Sequence, residues 1–353
     1  MDASAGTIAA QLLEWYDAHA RVLPWRAKPG APPPEPYRVW LSEVMLQQTR
    51  TLAVVPYYLE FTRRWPTIEA LAGADEADVL AAWAGLGYYA RARNLVACAR
   101  EVARRFGRFP DSEEALRQLP GLGAYSAAAV AAIAFGLRAV VIDANVERVV
   151  ARLFAIAEPL PAGRSAIRDA ADAITPQERC GDFAQAMMDL GATLCTTRAP
   201  RCLLCPLSGS CTGRLWGEPE RFPVKPPKRA KPLRQGRAFW IERGDAVWLV
   251  RRPGKGMLAG MRALPDDGWN ARGDGSGDSP IAGPWRPGGV VSHTFTHFAL
   301  ELHLRVYSGS DLASLAPREG EWWPLARIEE AGLPTLFAKA ARLASGLKGG
   351  AER

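Results

Sequence analysis

The chain has 353 residues, 48% of them apolar and 23% charged, with a formal net charge of +7. This balance excludes a disordered polyelectrolyte and suffices for a buried core in about two domains. No stretch reaches the ~18 apolar residues of a membrane helix, and the modest positive excess is compatible with a nucleic-acid partner without requiring one.

The opening MDASAGTIAAQLLEWYD has no basic leader and carries acids inside its apolar part, so it does not read as a secretion signal. A cytoplasmic location is expected, where a cysteine cluster reads first as a metal site rather than as disulfides. Residues 8–212 read mostly as helices. Leu95, Ala99, Val102 and Phe106 recur at helical spacing, as do Val146, Val149, Val150 and Leu153. The proline run APPPEP at 31–36 is a rigid loop just before one helix, and the Ala-rich run SAAAVAAIAFG is too short to span a membrane.

The texture then changes. RFPVKPPKRAKPLRQGR, 221–237, has seven basic residues, four prolines and no acid, and reads as an extended basic linker. Beyond it the period becomes two. FWIER and AVWLVRR are strand-like runs joined by Gly244-Asp245, a hairpin signal. In FALELHLRVY, Phe298, Leu300, Leu302, Leu304 and Val306 alternate with polar residues and Tyr307, the pattern of a half-buried strand. Residues 266–289 read as a long glycine-rich loop, and LPTLFAKAARLASGL as a closing helix.

Four of the six cysteines stand in one short stretch, with the spacing C-x6-C-x2-C-x5-C: Cys195, Cys202, Cys205 and Cys211. Zinc sites usually come as two short pairs separated by a longer segment. One short pair inside a compact loop, with outer cysteines at unequal distances, suits a cubane iron–sulfur cluster better; zinc is the second reading. Cys98 and Cys180 are isolated and read as small buried apolar residues.

This spacing, at the end of a helical region, resembles the 4Fe-4S loop of the endonuclease III-like DNA glycosylases. The resemblance implies a structural cluster whose loop presents Arg198 and Arg201 to a DNA phosphate. LPGLGAYSAAAVAA, 119–132, resembles a helix-hairpin-helix element. There Gly121 and Gly123 would let backbone N–H groups converge on a phosphate at a helix start. Relatives that also cut the backbone carry a lysine two residues into the following helix, where it forms a Schiff base. This chain has Tyr125, which cannot, so a simple glycosylase is favoured.

Two carboxylates carry the chemistry. Asp143 stands immediately before the amphipathic segment ANVERVVARLF, the position of an N-cap. Accepting helix N–H bonds favours the ionised form, and an anion held against a deoxyribose stabilises the positive charge that grows as a base departs. Glu43 lies among Val39, Trp40, Leu41, Val44, Met45 and Leu46. A lone acid in such company is expected to hold its proton near neutrality, as a general acid must.

LPWR (23–26), WLSEVMLQQT (40–49), GLGYYARARNL (85–95), the hairpin and FAQAMMDLGATLC (183–195) follow in that order. Together they closely resemble the MutY-type adenine DNA glycosylases over residues 8–215, and more loosely over 237–345. The resemblance implies a mainly α, two-lobed helix-hairpin-helix catalytic domain at 1–215, with the hairpin at 117–132 and the iron–sulfur loop at 195–211. A linker at 216–236, a Nudix-like α+β domain at 237–345 and a tail at 346–353 complete it. It implies that Glu43 protonates adenine, that Asp143 stabilises the sugar cation, and that Tyr125 and Asn145 support that centre. Arg21, Leu23, Trp25, Arg26 and Gln185 would line the pocket for a base flipped out of the duplex. Gln48 and Tyr88 would wedge into the stack, and the flanking Gly87, Arg91 and Arg93 read as an exposed basic surface. GMLAGMRALP and SHTFTHFAL match the lesion-sensing domain of that family, with Phe295, Thr296 and His297 in the recognition loop. No acidic Nudix box is present, so nucleotide hydrolysis is not expected.

The implied partner is double-stranded DNA bearing adenine opposite 8-oxoguanine, bound by a nucleoid-associated monomer with a 4Fe-4S cluster and no membrane association. Two departures stand out. The segment between Pro265 and Val290 is short and glycine-rich where relatives carry a helix, and Ala144 stands where Gly usually sits. The latter is tolerable if φ there is negative. Two other readings remain. One is a thymine–guanine mismatch glycosylase, against which Glu43 and the C-terminal region speak. The other is a non-catalytic iron–sulfur DNA-binding or redox-sensing protein, which has no need of two acids facing an anionic polymer.

Overall fold

The computed structural model describes residues 3–226, 230–252, 257–312, 315 and 319–346. They divide into two compact units, Met1–Pro227 and Lys228–Arg353.

The first unit is helical: α1 (Ala3–His19), α2 (Pro36–Leu46), α3 (Thr51–Arg64), α4 (Ile68–Ala72), α5 (Glu76–Ala82), α6 (Ala90–Arg105), α7 (Glu113–Arg117), α8 (Ala124–Phe135), α9 (Ala144–Leu153), α10 (Arg164–Ile174), α11 (Cys180–Thr193) and α12 (Thr212–Leu215). The proline loop delivers Pro36 to the first turn of α2, where its missing N–H costs nothing. The short helices α4, α5 and α7 each start on a side-chain cap, from Thr67, Asp75 and Ser112. In α9, Val146, Val149, Val150 and Leu153 are buried, as the spacing predicts.

The helices form two groups. α2 to α6 pack among themselves, as do α1 and α9 to α12, and α8 touches α2 and α7 on one side and α11 on the other. α8 is the Ala-rich run, buried from Ser126 to Ala134 and apolar all round, as a central helix must be. Small side chains let backbones approach closely. A Cβ on Gly181 of α11 would lie 2.6 Å from the Ala132 carbonyl of α8. One on Gly191 would lie 2.6 Å from Cβ of Asn145. Cys98 and Cys180 are buried as expected. Among the described residues no helix is long and apolar enough to cross a membrane.

The second unit is α+β. β1 (Leu233–Trp240), β2 (Glu242–Arg243), β3 (Ala246–Arg251), β4 (Arg262–Ala263), β5 (Trp285–Thr294), β6 (Ala299–Tyr307) and β7 (Glu321–Pro324) form two sheets. In one, β6 lies between a parallel β1 and an antiparallel β5. In the other, β3 pairs with β2, β4 and β7. The closing helix α13 (Thr335–Gly346) covers the first sheet. β6 buries every second residue, Leu300 to Val306, and Gly244 turns the β2–β3 hairpin at φ 61°.

Three expectations shift at their edges. Of the stretch expected as linker, Phe222 is buried in the helical core, the Val224 carbonyl accepts from Leu160 N at 2.9 Å, and 233–236 already belong to β1. Residues 227–229 of the linker, Gly256 of the GMLAGMRALP motif, and 347–353 of the tail lie outside the described residues. The loop expected over 266–289 ends earlier, because β5 starts at Trp285 and absorbs the glycines through a register shift between Pro287 and Val290.

The rest of that loop is anchored. Trp269 is fully buried against Phe295 and Phe337, with the Arg252 guanidinium over its ring at 4.4 Å. Gly236 of β1 makes room for it, since a Cβ there would stand 2.5 Å from the indole. Asp267 ties the loop's ends, accepting from Arg237 N at 2.9 Å and Gly277 N at 3.2 Å. One tryptophan thus anchors a loop that forms no helix among its described residues. Trp269→Ala is expected to destabilise this unit by about 3–5 kcal/mol, read as faster amide exchange along β5 and β6 with the α8 amides unchanged. Unchanged exchange in β5 and β6 would show that the loop carries no core.

Candidate active site

The two groups of helices enclose a cleft of about 1100 Å³. Glu43, Tyr125, Asp143 and Asn145 all line it. So do Arg21, Leu23, Trp25 and Arg26 from the α1–α2 loop, Gln48 after α2, Gly121 and Gly123 of the hairpin, and Gln185 of α11. The fold thus brings both carboxylates, far apart in sequence, to one space.

Glu43 sits on the buried face of α2, 4% exposed. The Tyr125 hydroxyl donates to its Oε2 at 2.6 Å. Burial pushes the Glu43 carboxyl above the ordinary range, the Tyr125 bond and the Arg26 charge pull it part of the way back, and Asp143 pushes it up again. The Tyr125 phenol is also driven well up by burial and then by the Glu43 charge, so it remains a donor.

Asp143 is the N-cap of α9. Its Oδ1 accepts from the backbone N–H groups of Asn145 at 2.8 Å and Val146 at 2.7 Å, and its Oδ2 from Asn145 Nδ2 at 2.7 Å. The helix cap thus also fixes the orientation of the carboxylate that faces the cleft. Ala144 opens α9 with negative φ, so the substitution carries no strain.

Asp189 is the residue that the sequence reading passes over. Fully buried on α11, it accepts from Arg21 Nε at 2.6 Å, Arg21 N at 3.1 Å and Arg26 Nη1 at 2.7 Å. It fixes both arginines of the pocket wall and balances the charge that Arg26 places near Glu43. A signal is present: an acid inside AMMDLG satisfies the same test, a lone carboxylate among apolar residues, that singles out Glu43.

Two more arginines hold the cysteine loop, and Arg148 joins it to the cleft through Asn145. Arg148 donates to Asn145 Oδ1 at 3.0 Å, Gly191 O at 2.6 Å and Cys195 O at 2.8 Å. Arg152, 2% exposed, donates to the carbonyls of Phe222, Thr196 and Thr197 and points Nη1 at Cys195 Sγ, 3.4 Å away. Cys195, Cys202, Cys205 and Cys211 are half-buried on one loop. Burial raises the Cys205 thiol to about 11, with further upward pushes from Cys195, Cys211 and Cys202. Among the described residues no three His, Cys, Asp or Glu side chains converge closely enough to hold a single metal ion. A buried guanidinium with no acid partner among the described residues, aimed at a thiol, fits an anionic tetrathiolate group. Arg198 and Arg201 are exposed on the loop.

Outside the cleft, Tyr88 stands 52% exposed with φ 49°, while Gln48, which lines the cleft, is exposed with φ 56°. Arg91, expected on an exposed basic surface, is instead turned inward onto backbone carbonyls. Gly121 needs to be glycine: its φ is 77°, and a Cβ would lie 2.8 Å from Asn94 Cβ. Gly123 has extended backbone and open space before the uncapped N-terminus of α8. In the second unit, Phe295 packs on Phe298 and His293, while Thr296 and His297 are exposed at the tip of the β5–β6 hairpin.

A carboxyl with a raised pKa binds its proton more tightly folded than unfolded. Stability from neutral Glu43 is therefore full below the ordinary carboxyl value. It falls by about 1.4 kcal/mol per pH unit as pH rises from there to the folded value. Glu43→Gln is expected to raise the melting temperature at pH 8, with the gain shrinking toward pH 5. A gain independent of pH would rule out a buried proton at this position.

Residues 41–171 match the model of the HhH-GPD superfamily base excision DNA repair proteins, and residues 237–343 that of the NUDIX domain. The human adenine DNA glycosylase is 33% identical over 96% of this chain and 74% of its own length. That of Mycobacterium tuberculosis (strain CDC 1551 / Oshkosh) is 45% identical over 62% of this chain and 71% of its own. Among solved structures, a thermostable thymine-DNA glycosylase superposes with a TM-score of 0.53 at 27% identity, covering 60% of this chain and 97% of that one. Relatives matched over both units, on the fold that joins Glu43 and Asp143 in one cleft, place the chain in a single group: it belongs to the adenine DNA glycosylase family.

Proposed function

We propose that the chain is a monofunctional glycosylase that hydrolyses the bond between adenine and deoxyribose in DNA where adenine faces 8-oxoguanine or guanine. The observation that carries this reading is the pairing in one cleft of a Glu43 whose carboxyl burial holds above the ordinary range with an Asp143 carboxylate held by three N–H donors.

Because Tyr125 occupies Glu43 Oε2, the acid proton resides on Oε1. It passes to a ring nitrogen of the flipped adenine, turning a poor leaving group into a good one. The C1′–N9 bond breaks with its electron pair going to the base. Asp143 faces the resulting oxocarbenium-like sugar, preorganised at no cost during reaction. Water adds to C1′ and its proton returns to the Glu43 carboxylate, leaving free adenine and an abasic site. Among the described residues lining the cleft there is no lysine, so no imine forms and the strand stays intact.

Asn145 orients Asp143, and Arg148 links it to the cysteine loop. A 4Fe-4S cluster on Cys195, Cys202, Cys205 and Cys211 would supply a rigid core for that loop. Arg198 and Arg201 there, and the N–H groups at Gly121 and Gly123, suit phosphates without reading sequence. Thr296 offers a hydroxyl and His297 a ring at an exposed hairpin tip, suited to reading the oxidised base opposite. Gln48 and Tyr88 fill the gap left by the flipped base.

Duplexes with adenine opposite 8-oxoguanine, adenine opposite guanine and thymine opposite guanine, treated with the protein and then alkali, test the reading. Scission is expected with the adenine duplexes alone, and Glu43→Gln is expected to slow it by about 10²–10⁴-fold. Scission before alkali would indicate a lyase, and product from thymine–guanine alone would replace this reading with a thymine glycosylase. Chemical analysis is expected to return about four irons and four sulfides per chain; one zinc per chain would remove the cluster from the account.

A further inference from the structure

Arg91 is the second residue of α6. Its Nη1 donates to the carbonyls of Val44 and Met45, each at 3.0 Å, and of Gln47; its Nη2 donates to Thr49 Oγ1 at 3.1 Å, Leu86 O at 3.3 Å and Gly87 O at 3.4 Å. Two separate segments are gathered by one guanidinium: the end of α2 with its following turn, and the 86–87 turn. The first contains Gln48 and the second leads into Tyr88. Both residues are non-glycines in the left-handed region, at φ 56° and 49°. Such backbone costs on the order of 1 kcal/mol or more and persists only where neighbours enforce it. The Val44, Met45 and Gln47 carbonyls that Arg91 takes up stand at the C-terminus of α2, where carbonyls lack helical partners and a cation is favoured. Trp83 and Tyr88 flank the guanidinium, with centroids 5.3 and 5.5 Å away. Burial lowers its pKa to about 10, so it stays charged at neutral pH. A lysine, a point charge with three donors, cannot span two turns as this planar fork does.

We infer that Arg91 is a positioning residue that holds the Gln48 and Tyr88 turns as one body, so that the two side chains enter the DNA stack together. The inference rests on the proposed wedge role of those side chains.

Single-turnover excision from the adenine–8-oxoguanine duplex tests it, with Gln48→Ala, Tyr88→Ala and the double variant made in the parent, in Arg91→Lys and in Thr49→Val. If the wedges act as one body, losing either disables both. The double variant should then retain activity about fivefold or more above the product of the two single losses. In Arg91→Lys the losses should multiply to within about twofold. Thr49→Val, which removes one strut and keeps the arginine, should weaken the coupling in the same direction and decides the matter if Arg91→Lys does not fold. The unstacking signal of 2-aminopurine beside the target adenine should fall in both variants at unchanged melting temperature. Losses that already multiply in the parent, or coupling that survives in both variants, would overturn the inference. Single variants without any effect would overturn the wedge roles themselves while leaving Glu43 and Asp143 untouched.

Discussion

Holding a carboxylic acid above its ordinary pKa range requires water to be kept away from it, and the helical unit does this by burying Glu43. The acid is on the inner face of a helix whose neighbours are buried aromatic and aliphatic side chains. Ionisation there forfeits solvation that one phenol and one distant guanidinium only partly replace. The same burial raises Tyr125, so the hydrogen bond between them keeps its direction. Asp143 lies at the opposite extreme, at a helix terminus where backbone N–H groups have no other partner. Two carboxyl groups are thus set in opposite surroundings by the ends and faces of helices.

Inward-turned arginines connect this centre to its surroundings, and three of them do so through peptide carbonyls. Arg91 gathers the turns at 47–49 and 86–87. Arg148 joins the start of α9 to the end of α11. Arg152 holds the backbone of the cysteine loop. A guanidinium has five donors in a plane and accepts nothing, so it ties irregular backbone together without competing for it. Irregular backbone is where DNA-facing groups must stand, because regular helices satisfy their own amides and leave none to spare for a phosphate.

Much of this is legible in the sequence because it is local. The period-two alternation of β6, the Asp143 cap before an amphipathic run and the apolar neighbours of Glu43 are short-range patterns with one physical reading each. Asp189 escapes such a reading because its meaning comes from Arg21 and Arg26, more than 160 residues away. Arg91 reads as a surface residue because a basic side chain beside two tyrosines looks solvated until the end of α2 is seen to lie against it. The glycine-rich loop hides its anchor, since Trp269 shows no periodicity and is recognisable only once Gly236 leaves space for it.

The order of amino acids is enough to say which residues are able to do the chemistry, because residue type and local pattern set whether a side chain is buried, capped or free. It takes the packed helices to establish that Glu43 and Asp143 share one cleft, that Asp189 neutralises its wall and that Arg91 faces inward. Those facts depend on which helix faces meet. That choice is made by close approaches such as Gly181 against Ala132 and Gly191 against Asn145, contacts between residues that no local pattern relates.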